Sequence, residues 1–190
     1  MKLFTFLILS IFLFSFVTNA NEPLKINLET STVTYTAKKI GGSHSGNLKF
    51  SNGNLKFNKT DVLIAGEFEV DMNTLTNTDI ADTTYHKKFL DHLISEDFFN
   101  IEKFKTAKFK IKSAVKTKTD HYKIIGDLTI KGITTQITFD SFVTKKSATA
   151  LLKFDRTLYG IKYGSGKFFQ NLGDKVIEDE VVLEVNLKLI

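Results

Sequence analysis

The sequence predicts an all-β protein with one helix, an antiparallel β-barrel of about eight strands, the number at which a closed barrel leaves room for one small ligand. Three observations carry this reading. Apolar and polar residues alternate with period two along most of the chain, as in strands buried on one face. Helical spacing is confined to one stretch near the middle. No repeat, low-complexity tract or linker divides the 190 residues, and Pro occurs once.

The elements follow in order. Val33, Tyr35 and Ala37 alternate with Thr32, Thr34, Thr36 and Lys38 in a half-buried strand. His44 to Phe57 is expected to be a hairpin, with Gly46, Leu48 and Phe50 on one arm and Leu55 and Phe57 on the other. Its turn would be Ser51-Asn52-Gly53-Asn54, because Asn-Gly between alternating runs is the strongest short hairpin signal. Val62, Ile64, Gly66, Phe68 and Val70 make the next apolar face. The pattern then changes: Phe89-Leu90 and Leu93-Ile94 fall at helical spacing and predict a helix from about Asp82 to Ile94. Strands resume with Phe109 and Ile111 between Lys108, Lys110 and Lys112, then Tyr122, Ile124, Gly126, Leu128 and Ile130. Ile133 to Val143, Ala148 to Phe154, and Val181 to Leu189 complete the series.

Met1-Lys2, the apolar run Leu3 to Val17 and the short residues Thr18-Asn19-Ala20 have the form of a secretory signal peptide over residues 1–20. The run is shorter than the ~20 apolar residues of a spanning helix. Residues 21–190 are then one domain, expected to be exported, periplasmic or secreted, and soluble after cleavage. Cys is absent, so stability rests on packing and the strand ladder. An outer-membrane barrel needs an apolar exterior, whereas here the second face of nearly every strand carries Lys, Glu or Thr. The apolar face therefore points inward. The formal charge of +5 comes from 26 basic residues, of which Arg156 is the single arginine. The lysines are dispersed rather than gathered on one element, which argues against nucleic acid as a partner.

Several segments together resemble the YceI-like family of exported, lipocalin-like proteins associated with polyisoprenoid lipids. They are Gly41 to Gly46, Phe89 to Asn100, Phe104 to Phe109, Gly126 to Thr134, and Phe154-Asp155-Arg156 with Tyr159-Gly160-Ile161. The likeness runs from about Ser31 to Leu189. Tyr35 and Lys105 stand where the family commonly carries Trp and Pro. The resemblance implies a lipocalin-like antiparallel barrel around an isoprenoid or other long-chain lipid.

Other chemistry is poorly supported. His44, His86, His92 and His121 show no metal-ligand spacing, and no Cys accompanies them. Gly164-Ser165-Gly166-Lys167 lacks the leading Gly and following Ser/Thr of a phosphate loop. No G-x-S-x-G elbow or paired carboxylates suggest catalysis, and no cofactor is implied. Arg156 leaves two readings open: a planar clamp on a pyrophosphate or carboxylate headgroup, or a tie between loops. His44 and His92 are further headgroup candidates at one barrel end.

The inward faces define a candidate lipid channel: Tyr35, Leu48, Phe68, Val70, Leu90, Phe98, Phe99, Phe109, Ile111, Gly126, Leu128, Ile130, Ala150, Leu152 and Phe154. Small residues at Gly46, Gly66, Gly126, Ala148 and Ala150 are expected to leave room along its axis, the other reading being that they only permit strand bending. Burial of a lipid tail gains ~0.8 kcal/mol per CH₂, so few polar contacts would be needed. An enzyme acting on such a lipid and a stress or interaction protein with a filled core are the competing readings. Lys108, Lys110 and Lys112 share one outward face, readable either as solvated edge charge or as a site of transient contact with an anionic membrane surface. The oligomeric state has no signature in the sequence.

Overall fold

Period-two alternation becomes strand nearly everywhere in the computed structural model, which describes residues 22–190. The leader expected over residues 1–20 lies outside the described residues. The strands are β1 (Leu24–Lys25), β2 (Thr32–Lys39), β3 (Gly42–Phe57), β4 (Leu63–Asp71), β5 (Thr106–Lys118), β6 (His121–Ile130), β7 (Ile133–Val143), β8 (Ser147–Asp155) and β9 (Ile177–Lys188). The helix α1 spans Thr83–Ile94. Asp82 caps it by accepting from the Tyr85 N–H, satisfying one of the free donors of the first turn.

The strand order is β3-β2-β9-β8-β7-β6-β5-β4, and β4 pairs back onto β3, closing an antiparallel eight-stranded barrel. The ninth strand, β1, adds two residues to β3 at Leu55 and Asn54. Closure depends on the length of β3. Its first half, Gly42 to Leu48, pairs with β2, and its second half, Lys49 to Phe57, pairs with β4.

That length corrects the expected hairpin at Ser51-Asn52-Gly53-Asn54. These residues are extended within β3, and the turn that precedes it is at Gly41, where φ is +83°. Register shifts instead between Phe50 and Asn52, a bulge that bends the strand from one partner to the other. The small residue at Gly53 answers to packing, since a Cβ there would lie 2.6 Å from Ile26 Cδ1. A second shift, between Lys56 and Phe57, inverts the start of β4. Leu63 is buried and Ile64 is 44% exposed, the reverse of the face read from simple alternation.

Beyond β4, residues 72–80 continue along β3. Thr76 and Thr78 N–H donate to the Asn47 and Ser45 carbonyls, and Thr74 Oγ1 accepts from Lys49 N–H. Tyr35 donates its hydroxyl to Thr76 O at 2.8 Å. This segment passes so close to β3 that a Cβ on Gly46 would meet Thr76 O at 1.9 Å. It leads into α1, which covers this end of the barrel through Phe89, Leu90 and Leu93.

The wall is uneven. β6 and β7 pair along ten consecutive positions, whereas β7 meets β8 only at Ser141–Ala150, Phe142–Thr149 and Val143–Ala148. Past that point Tyr159 fills the gap. It is fully buried, its ring packs edge-on against Phe154 of β8, and its hydroxyl is hydrogen-bonded to Thr135 Oγ1 of β7.

Candidate lipid cavity

The inward faces do not meet in the middle. Two apolar clusters occupy the barrel, one around Leu55, Leu63, Tyr122 and Ile124, the other around Tyr35, Leu93, Phe98, Tyr159 and Ile161. A cavity bordered by both leaves about 190 Å³ free to the centre of a water molecule. One water requires roughly 10–15 Å³ on that measure, so the space is far more than a packing defect.

Of the residues expected to line a channel, Tyr35, Leu48, Phe68, Val70, Phe98, Phe99, Phe109, Ile111, Leu128, Ile130, Ala150, Leu152 and Phe154 all border this cavity. Leu90 does not; it packs beside the α1-end cluster. Gly126 does not either, because the Phe109 ring lies over it. The expectation that the inward glycines open the axis is therefore corrected. Gly46, Gly66 and Gly126 are each filled by neighbours, respectively Thr76 and Tyr35, Leu55 and Ile111, and Phe109. Of the five small residues expected to open the axis, Ala148 and Ala150 face the space, as do Ala37 and Ala107.

Sequence reasoning missed much of the wall. Val181, Leu183, Val185 and Leu187 of β9 border the cavity, as do Phe89 and Leu93 of α1. The alternation of β9 was a usable signal. Met72 and Leu75, just past β4, and Ile161, on the loop after β8, had none, since they sit outside any periodic run.

Polar members of the wall are already engaged. Tyr35 donates to Thr76 O, Ser141 to Thr149 O, and Lys108 pairs with Glu69 at 3.0 Å. Burial pushes the Tyr35 phenol up to about 12, so it stays neutral at any physiological pH.

Arg156 borders the cavity, but its donors are engaged within the protein. It is 3% exposed, and its five N–H donors are directed to Glu178 O, Ile161 O, Tyr163 O, Ile177 O and Asp179 Oδ1 at 2.8–3.4 Å. A guanidinium has five N–H donors, so none remains for a headgroup; the clamp is replaced by a tie between the segment after β8 and the start of β9. Burial lowers its pKa, against the opposing influence of Asp179 and Asp155, although a guanidinium remains charged. Beside it, Lys167 bridges Asp155 at 2.7 Å and Asp179 at 3.2 Å. The Gly164-to-Lys167 stretch is thus part of the same loop clasp.

None of the four histidines borders the cavity; His44, His86 and His92 stand at the α1 end, and His121 at the start of β6. His44 Nδ1 is 2.7 Å from Asp79 Oδ2, and its ring packs on Phe89. His92 packs edge-on against Phe98 and Tyr163. His86 approaches Asn77 O, and His121 approaches Thr119 O. Lys108, Lys110 and Lys112 are each paired across strands, with Glu69, Glu67 and Asp127.

A family model described as the YceI-like domain matches residues 24–189. Among curated relatives, a UPF0312 protein of Yersinia pestis (strain Pestoides F) is 37% identical over 73 residues, 38% of this chain and 37% of its own length. A UPF0312 protein of Serratia proteamaculans (strain 568) is 39% identical over 70 residues, 37% of this chain and 35% of the relative. The matched region is thus little more than a third of those relatives. Among solved structures, Burkholderia cenocepacia BcnA superimposes with a TM-score of 0.67 at 22% identity, covering 85% of this chain and 98% of that one. A polyisoprenoid binding domain from Saccharophagus degradans gives a TM-score of 0.59 at 11% identity, covering 87% and 97%. Both likenesses establish the shared barrel.

Proposed function

Since the chain belongs to the YceI-like family, we propose that it is an exported binding protein that holds a polyisoprenoid or other long-chain lipid inside its barrel, as carrier or store. The cavity wall carries this reading. It is built mainly from aliphatic and aromatic side chains, and the polar groups of Tyr35, Ser141, Lys108 and Arg156 are each engaged by another protein group. Such a wall rewards apolar length at ~0.8 kcal/mol per buried CH₂. It offers no converging acid, base or nucleophile, which favours a binding protein over an enzyme acting on the same lipid. A polyisoprenoid binding domain among the structural neighbours is consistent with the choice of ligand.

Mass spectrometry of the natively purified protein, followed by solvent extraction, tests the proposal. A co-purifying long-chain lipid near equimolar amount is expected. A protein that is lipid-free as isolated and takes up no added polyisoprenoid would instead be a barrel with a filled or collapsing core.

A further inference from the structure

The loop between β8 and β9 places aromatic side chains in solvent at the α1 end. Phe168 and Phe169 are each 48% exposed, Tyr163 45%, and Ile40 at the end of β2 56%. The loop is a fixed structure. Phe168 and Phe169 N–H both donate to the carbonyl of Ser165, which is fully buried. Ile40 N–H donates to Val176 O, and Ile177 N–H to Gly164 O, tying the loop to the β2 and β9 ends. A globular chain normally withdraws adjacent phenylalanines from water, so an exposed pair on an anchored loop indicates a partner.

Charge identifies the partner's chemistry. Lys38 and Lys39 precede Ile40, Lys162 lies 4.7 Å over the Phe168 ring, and Lys175 adjoins Val176. Asp155 and Asp179 on this side are engaged by Arg156 and Lys167. That leaves Asp174, Glu178 and Asp97, the last 3.6 Å from the His92 ring that packs on Tyr163, against four lysines. The lysine stretch on β5, by contrast, is balanced pair by pair at Lys108, Lys110 and Lys112. Aromatic side chains ringed by lysines suit the boundary of an anionic bilayer, where rings enter the acyl margin and ammonium groups meet phosphates.

The patch also adjoins the cavity. Tyr163 packs on Phe98, a wall residue, and Ile161 and Ile177 at the two ends of the loop line the space. We propose that this face docks on anionic membrane, with Phe168 and Phe169 entering the bilayer margin, and that lipid passes between bilayer and barrel at this end. The proposal rests on the lipid-binding reading, and its test reads vesicle binding and lipid content separately so that the two can fail independently.

The test is cosedimentation of the protein with vesicles of phosphatidylcholine alone or with phosphatidylglycerol added. Wild type should bind the anionic vesicles, and lose binding as salt shortens the ~8 Å screening length of physiological solution. Phe168→Ser with Phe169→Ser should weaken binding about tenfold or more, while the co-purified lipid and the β-type circular dichroism are retained. Lys38, Lys39, Lys162 and Lys175 changed together to Gln should remove the salt dependence. Phe168→Trp provides an independent reading if the double variant folds poorly. Its fluorescence should shift blue on anionic vesicles and be quenched by brominated lipid. A lipid-loaded protein that ignores vesicles, a serine double variant that binds unchanged, or an unshifted indole signal from Phe168→Trp would overturn docking and leave the cavity reading intact. So would a solution dimer abolished by the same serines, which would assign the face to a second copy. Vesicle binding by a protein with no lipid inside would count against the carrier instead.

Discussion

The ring of Phe109 lies directly over Gly126 on the neighbouring strand: a Cβ at Gly126 would come within 2.3 Å of Phe109 Cζ and 2.7 Å of Lys110 O. A side chain there must displace an aromatic core residue and a strand backbone. Gly126→Ala is expected to destabilise the barrel by about 1–3 kcal/mol, the usual range for overpacking, as read from urea denaturation. Ala150→Phe is the contrasting variant, because Ala150 faces the cavity. It should displace bound lipid at small cost in stability. Wild-type lipid stoichiometry in Ala150→Phe would show that this part of the wall does not hold the ligand.

These two positions show what the sequence revealed and what it concealed. Alternation located the strands and the inward face, so Tyr35, Leu128 and Leu152 could be placed on the cavity wall. Alternation cannot say whether a small inward residue leaves a void or receives a neighbour, because that depends on cross-strand register. Gly126 and Ala150 look equivalent in the sequence and are opposites in space. Register also explains the misread hairpin. Asn52-Gly53 carries a turn signal, but a barrel strand that must change partners needs a bulge at the same place, and pairing overrides local preference. The bulge at Ser51 and the inversion at Leu63 and Ile64 follow from closing the barrel, a constraint spread over strands distant in sequence.

Arg156→Lys tests the loop clasp. Lysine keeps the charge but cannot reproduce five donors aimed at four carbonyls and Asp179. Leaving buried acceptors unpaired costs about 1–3 kcal/mol per group, and the loss of a buried ion pair can reach about 3–5 kcal/mol. A fall in stability of about 3 kcal/mol or more is expected, equal in lipid-loaded and lipid-free protein. A variant of unchanged stability with selectively weakened binding of pyrophosphate lipids would restore the headgroup clamp.

Tyr159→Phe addresses the gap between β7 and β8. The variant keeps the ring against Phe154 and removes the hydroxyl partner of Thr135. A single hydrogen bond is worth about 0.5–1.5 kcal/mol, so the global effect should be small. The local effect should be larger, because β7 residues 133–140 have no β8 ladder to hold them. Hydrogen exchange in that segment should accelerate while the β5–β6 ladder is unaffected. Uniform acceleration across the barrel would mean that Tyr159 acts on global stability and does not hold the gap.

Strong acid should loosen the fold at Asp79. Its carboxylate accepts from Ser45 N–H, Asn77 Nδ2 and His44 Nδ1, each at 2.7 Å, and so ties residues 77–80 to β3 beside Phe89 of α1. Burial would raise its pKa, but these donors together outweigh it and hold the carboxyl below its ordinary value. The unfolded chain, with a carboxyl pKa of about 3.9, therefore binds the proton more readily than the folded one. Stabilisation from Asp79 is fully present above about pH 4 and is lost as pH falls through the folded value. Asp79→Ala removes the acceptor at every pH. The melting-temperature difference between wild type and variant should shrink as pH falls below about 4. A difference that persists undiminished at the lowest pH where both proteins fold would show that Asp79 contributes through shape rather than charge.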